Sequence, residues 1–250
     1  MDSSFDSGGL TLSAHVARPT RAAVGPRPAL VLCHGFPSGP GGAATSAQTY
    51  PEFADNLASE TGWTVLTFNF RGTGESQGDF SMTGWLDDLR AALAHVHTLP
   101  RVAGVWLAGS SAGGVVAICL AGEDESIRGV ATFAAPADFE RWAADPAALL
   151  RTCREVGVVR NPAFPADFDA WAAELHDTRP LDAVAKIPPR PLLLVHGSDD
   201  DVVPLADARA LADAAGATAD LRVVAGAGHR LRHDPRAVAV LLGWLERQAL

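Results

Sequence analysis

The chain has 250 residues, 48% of them apolar and 20% charged, which suits one globular α/β domain with a sizeable buried core. Its formal net charge of −9 argues against nucleic acid as a partner and against electrostatic docking on anionic lipid, both of which need a basic surface. Three cysteines are too few, and odd in number, for a disulfide framework, and Cys33 and Cys119 read as buried small apolar residues.

In chain order, the N-terminal Met1-Asp2-Ser3-Ser4-Phe5-Asp6 has neither a basic stretch nor a long apolar core. The expectation is no signal peptide and a cytoplasmic location. No run of about 18 apolar residues is present, so no membrane partner is expected. A hairpin turning at Gly8-Gly9 leads into a strand over Leu10–Ala17, and 21–28 reads as a Pro/Gly-rich loop. Ala29–Cys33 is a buried strand, 37–46 a flexible loop, about 48–60 a helix and Thr64–Phe70 a strand. Arg71-Gly72-Thr73-Gly74-Glu75-Ser76 then reads as a tight turn without a catalytic role. Trp85, Leu89, Leu93 and Val96 recur at helical spacing over about 83–98.

Val105-Trp106-Leu107-Ala108 precedes Gly109-Ser110-Ser111-Ala112-Gly113, and the small apolar run from Gly114 to Ala121 follows it. This is a G-x-S-x-G stretch between strand and helix patterns. A serine on so tight a turn needs small neighbours, which Gly109, Ala112 and Gly113 supply. Only Ser111 fits the middle position. A strand follows at Gly129–Ala134. From about 136 to 187 the strand–helix alternation breaks. Prolines 146, 162, 165 and 180 cut the segment into short pieces that carry Phe139, Trp142, Phe164, Phe168 and Trp171. These aromatics belong either to packing helices or to a pocket wall, with Trp142 and Trp171 standing equal as wall candidates. Pro191–Val195 and Leu221–Val224 are strand runs, and Leu205–Ala214 and Asp234–Gln248 are outer helices. The alternation predicts a mostly parallel sheet covered by helices on both faces.

Two further stretches matter. His196-Gly197-Ser198-Asp199-Asp200-Asp201-Val202-Val203-Pro204 follows the first of those late strand runs, and Gly226-Ala227-Gly228-His229 follows the second. The order Ser, Asp, His, with His34-Gly35-Phe36 after the third strand, resembles an α/β-hydrolase of the serine esterase or lipase type. The likeness runs from about residue 10 to the end. It implies the α/β-hydrolase fold, with 1–250 as one domain and the 136–187 insertion, between the sixth and seventh strands, as a small helical cap or lid.

The resemblance also implies roles. Ser111 is the nucleophile and His229 its base; His233 competes for that role but leads into the last helix. The family pattern H-G-x-x-D-x-x-V-P, matched by His196, Gly197, Val203 and Pro204, selects Asp200 over Asp199 and Asp201. The backbone N–H groups of Phe36 and Ala112 form the oxyanion hole. His34 and His196 hold their loops. The expected activity is hydrolysis of a small-molecule carboxylic ester through an acyl-enzyme, with no metal and no cofactor. Peptide or thioester cleavage or perhydrolysis on the same triad, and a non-catalytic binding protein, are the alternatives. His34-Gly35-Phe36-Pro37 also occurs in epoxide hydrolases and dehalogenases, but those need a carboxylate where Ser111 stands. A monomer and a homodimer fit equally.

Overall fold

The computed structural model of the chain describes residues 2–19, 25–38 and 41–248. β1 (Asp2–Ser7) and β2 (Leu10–Ala17) pair antiparallel across a two-residue turn in which Gly8 and Gly9 have φ of 59° and 86°. Such a turn demands positive φ at both positions, which glycine meets without steric cost. β3 (Arg27–Cys33) starts two residues before the expected strand, so Arg27 and Pro28 lie in the sheet rather than in a loop. Residues 21–24 of that expected loop lie outside the described ones.

The described part of the 37–46 segment, 37–38 and 41–46, is also more regular than its composition implied. Gly42–Thr45 is a turn of 3-10 helix. Ala43 donates its N–H to Val156 O (2.6 Å) and accepts from Gly74 N (2.8 Å), while Asn69 Nδ2 donates to Ser46 O (3.0 Å). Contacts from distant parts of the chain thus satisfy the loop's backbone, which local sequence does not foretell. Residues 39 and 40 of that loop lie outside the described ones.

α1 (Tyr50–Thr61) carries Pro51 in its first turn and ends at Gly62, which has φ of 73°. β4 (Thr64–Phe68) stops short of Phe70, because the Phe70 N–H donates to His34 Nε2 (3.2 Å) instead of to a strand neighbour. α2 (Met82–Thr98) is capped by Ser81 Oγ, which accepts from Gly84 N (2.9 Å). The preceding Arg71 loop is held by the Asp88 carboxylate, fully buried and bonded to the Arg71 backbone and guanidinium. β5 (Val102–Ser110), α3 (Ala112–Glu123) and β6 (Ile127–Phe133) follow. Four short helices come next, α4 (Glu140–Ala143), α5 (Pro146–Glu155), α6 (Phe168–Asp177) and α7 (Pro180–Val184). β7 (Leu192–Gly197), α8 (Leu205–Ala215), β8 (Ala219–Val224) and α9 (Pro235–Gln248) complete the chain.

The sheet has eight strands in the order β1-β2-β4-β3-β5-β6-β7-β8. β1, β2 and β4 pair antiparallel, and the pairings from β4 and β3 through to β8 are parallel. Alternate residues of each strand therefore feed two cores. Ala29, Val31 and Cys33 pack with Trp85 and Leu89 of α2 and with Val115 and Ile118 of α3. Leu30 and Leu32 pack on the opposite face with Leu57 of α1 and with Leu241 and Trp244 of α9. β3 and β5 are central, so the turns that leave them open at the same end of the sheet. No helix among the described residues is long and apolar enough to cross a membrane.

Candidate active site

Ser111 stands between β5 and α3 with φ of 51° and ψ of −125°. A positive φ is costly for a residue with a Cβ, and such strain persists only where the surroundings over-determine it. Here they do. Ser111 N donates to Phe133 O on β6 (2.8 Å), and Ser111 O accepts from Gly114 N (2.8 Å) and Val115 N (3.2 Å) in the first turn of α3. A Cβ at Gly113 would run into the carbonyls of His34 and Cys33, and one at Gly109 into the backbone of Gly113. The strand–serine–helix turn is thus packed against the end of β3 so closely that only glycine fits on either side.

The turn brings Ser111 to the N-terminus of a buried helix, where unpaired N–H groups and the helix dipole favour negative charge. The N–H groups of Ala112 and Phe36 donate to no acceptor among the described residues. Gly35 lies against the elbow, so Phe36 leaves β3 beside Ser111: a Cβ on Gly35 would come within 3.2 Å of Ser111 Cβ.

After β7 the chain turns so that the Asp200 carboxylate is fully buried. Its Oδ1 accepts from the N–H groups of Val202 (2.9 Å) and Val203 (2.8 Å). Its Oδ2 lies 2.9 Å and its Oδ1 3.2 Å from Nδ1 of His229, in the loop after β8. The Nδ1 proton of His229 is assigned from this network, which leaves Nε2 unprotonated and able to accept. Asp199 is exposed and accepts from the Ser198 hydroxyl (2.6 Å), and Asp201 is exposed too. Of the three consecutive aspartates only Asp200 meets a histidine. His233 sits in the 3-10 turn Leu231–His233 ahead of α9 and accepts on Nε2 from Arg232 (2.9 Å).

The other two histidines that follow strands bond to nearby loop backbone. His34 is buried, its Nδ1 is 2.8 Å from Gly35 O, and burial pushes its pKa down to about 4. It is neutral near pH 7 and its Nε2 is spent on the Phe70 N–H. His196 Nε2 bonds Val203 O (2.9 Å) and stands 3.5 Å from Asp200 Oδ2, tying the Asp200 loop to β7. Burial raises the thiol pKa of all three cysteines, which removes them as nucleophiles at neutral pH. No cluster of three or more metal-ligating side chains occurs among the described residues.

Two cavities meet at Ser111. The first, about 390 Å³, is lined by Ser111 and His229 together with His34, Phe36, Tyr50 and Arg232. Ser111 and His229 thus share a wall, although the hydrogen bonds of the described residues include none between the serine hydroxyl and the imidazole; such bonds are often loose before substrate binds. The second, about 280 Å³, is lined by Ser111, Ala112, Phe139, Trp142, Val202 and Val203. The aromatics of 136–187 therefore divide. Phe139 and Trp142 stack at 4.9 Å and face the serine. Trp171 is core, its indole N–H donating to Phe80 O (3.1 Å), and Phe168 is partly exposed. Trp142 and Trp171, equal on sequence, are not equal in space.

Tyr50, Arg230 and Arg232 line the first cavity and escaped the reading of motifs. A signal was present in the last two: His229-Arg230-Leu231-Arg232-His233 is a basic run in an acidic chain.

The sequence model of the alpha/beta hydrolase family matches residues 30–241. No curated protein matches the sequence. Among solved structures, the chain is similar to the esterase domain of a Rhodothermus marinus protein, with 24% identity and a TM-score of 0.70 over 99% of this chain and 98% of that one. It is similar also to the alpha/beta hydrolase GrgF from Penicillium sp. sh18, with 21% identity and a TM-score of 0.76 over 100% and 98%. Proline iminopeptidase from Mycobacterium smegmatis, 17% identical, superposes with a TM-score of 0.70 over 100% and 99%. At these identities the likeness is one of fold.

Proposed function

The chain belongs to the alpha/beta hydrolase family, and from that premise we propose that it is a serine hydrolase that cleaves carboxylic esters through an acyl-enzyme. The observation that carries the reading is the buried Asp200–His229 pair opening onto the same cavity as the strained Ser111. A serine hydroxyl is a weak nucleophile and needs a base, and that base needs an orienting acceptor.

In this mechanism Ser111 Oγ attacks the ester carbonyl carbon as its proton passes to His229 Nε2. Asp200 keeps the His229 Nδ1 proton in place and stabilises the imidazolium. The carbonyl oxygen becomes an oxyanion held by the Phe36 and Ala112 N–H groups; losing one such donor costs about 3–4 kcal/mol of transition-state stabilisation. Collapse of the tetrahedral intermediate breaks the bond to the alcohol, which leaves with the proton from His229. Water then gives a proton to His229 and attacks the acyl carbon; as this second tetrahedral intermediate collapses, His229 returns the proton to Ser111 Oγ and the acid leaves. Within the insertion, 136–187 acts as the lid that shapes the site through Phe139 and Trp142.

The test is a panel of 4-nitrophenyl esters of increasing chain length beside a thioester and a proline 4-nitroanilide, run with organophosphonate labelling and peptide mass mapping. Ester turnover with the phosphonate on Ser111 is the expected result. Preference for the anilide or thioester would move the assignment to another acyl bond. A protein that takes no label and turns over nothing would be a binding protein on a hydrolase fold.

A further inference from the structure

The larger cavity at Ser111 has a charge pattern opposite to that of the chain. The sequence holds 29 Asp and Glu against 20 Lys and Arg. Yet among the described residues no carboxylate lines this cavity, while Arg230 and Arg232 both do. Some arginines elsewhere find acidic partners, as Arg71 does with Asp88, Arg90 with Glu123 and Arg236 with Asp234, and others, such as Arg160 and Arg190, are spent on backbone carbonyls. Arg230 and Arg232 pair with no carboxylate among the described residues.

Arg232 is nonetheless held in place. Its guanidinium carbon lies 4.5 Å from the centre of the Tyr50 ring and 5.9 Å from that of Phe53. One of its terminal nitrogens donates to His233 Nε2 (2.9 Å). Stacking on aromatic rings fixes a guanidinium without neutralising it. His233 does not neutralise it either, because a histidine that accepts on Nε2 carries no charge. Partial burial and then the positive charges of Arg232 and Arg230 hold the His233 pKa below its ordinary value. The other cavity at Ser111 is built differently, with Asp138 and Asp207 set against a single cation, Arg141, beside Phe139 and Trp142. Cations without carboxylates thus line only the first of these two cavities among the described residues.

We propose that the cavity lined by Arg230 and Arg232 is an anion subsite, and that the ester this protein cleaves carries a carboxylate bound there while its apolar part lies toward Phe139 and Trp142. The inference rests on the reading of Ser111 and His229 as an ester-cleaving pair. A guanidinium offers parallel N–H donors that match the two oxygens of a carboxylate. A cation already positioned and still unpaired loses little freedom when that ligand arrives.

Two matched pairs of esters test this. Mono-4-nitrophenyl adipate against 4-nitrophenyl heptanoate puts the charge on the acyl side. 4-Acetoxybenzoate against its methyl ester puts it on the leaving group. The quantity read is the ratio of kcat/KM, charged over neutral, in which losses common to both esters cancel. In the unaltered protein the ratio is expected to exceed one for at least one pair and to fall with added salt. Arg232→Met should lower it about tenfold or more, chiefly through KM, and Arg232→Lys should restore part of it. Arg230→Gln, at an exposed position where folding is not at stake, should lower it by a smaller factor. If Ser111 takes up phosphonate and the neutral esters turn over while the ratio is the same in all four proteins, the anion subsite alone is overturned. If Ser111 takes no label and no ester turns over, the ester-hydrolase reading falls and the subsite falls with it.

Discussion

Ser111 has the ends of the parallel strands on one side and the 136–187 segment on the other, and the two are held by different means. At the strand ends, close backbone contact sets each position. Gly113 touches the carbonyls that leave β3, the Ser111 N–H is tied to β6, and Asp200 is caged by two N–H groups and His229. In the insertion, α4 to α7 are short; backbone bonds from Ala43 and Phe80 hold Val156 and Val158, and side-chain bonds to distant elements anchor the rest of the segment. Trp171 bonds Phe80 O, Arg160 N donates to Asp79 Oδ1 (2.6 Å), and Glu174 Oε2 accepts from Thr83 N (3.1 Å). The difference teaches that the proposed reacting groups sit where close backbone contact leaves least freedom, whereas the proposed pocket wall, Phe139 and Trp142, is built of side chains that can be exchanged. Chemistry should therefore be intolerant of change on the first side, and specificity adjustable on the second.

The sharpest break of that contrast is Ser111→Ala. It should lose at least about a thousandfold in kcat while the protein stays folded, since binding and oxyanion contacts alone remain. Stopped turnover, circular dichroism and phosphonate mass mapping check it together; label recovered on Ser110 would place the nucleophile one residue earlier. Asp200→Asn comes next. It should cost kcat on the order of a thousandfold, because an amide can favour the wrong tautomer of His229. Asp199→Asn and Asp201→Asn, at exposed carboxylates, should stay within about twofold. A large loss in Asp199→Asn and none in Asp200→Asn would shift the register of this loop.

On the insertion side, Trp171→Ala and Trp142→Ala should part company. The first removes a core indole and should cost about 3–5 kcal/mol of stability in denaturant titration, with no change in the preferred ester chain length. The second should shift that preference by about 1–3 kcal/mol per pocket methylene, read as kcat/KM across the ester series. An unchanged chain-length profile in Trp142→Ala would make the whole segment a packing element.

A pH-dependent effect concerns His34, whose loop packs on the elbow. Below pH 6.5 the unfolded chain binds a proton at this histidine, while the folded chain resists until about pH 4. The unfolded state then holds more protons, so stability falls as the pH drops through that window, by up to about 3 kcal/mol from this residue. The stability gap between the parent protein and His34→Gln should narrow from pH 6.5 to pH 4.5 in urea titrations. A constant gap would mean that His34 titrates as it does in the unfolded chain.

The sequence by itself determined the strand–helix alternation and the turns that carry the site. Their constraints are local and steric: alternating burial along a strand, small residues around Ser111, paired glycines in a two-residue hairpin turn. The family pattern matched at His196, Gly197, Val203 and Pro204 pointed to Asp200, the one of the three consecutive aspartates that meets His229. The ends of elements were less legible, because remote partners set them, as when His34 takes the N–H of Phe70 and β4 stops at Phe68. Only the tertiary structure decided that Trp142 faces Ser111 and Trp171 the core, since in short helices broken by prolines nothing local orients one face. It alone brought Arg230 and Arg232 to the cavity wall with no carboxylate partner among the described residues. Whether a charge is paired depends on what packs beside it from elsewhere in the chain, and no spacing of residues records that.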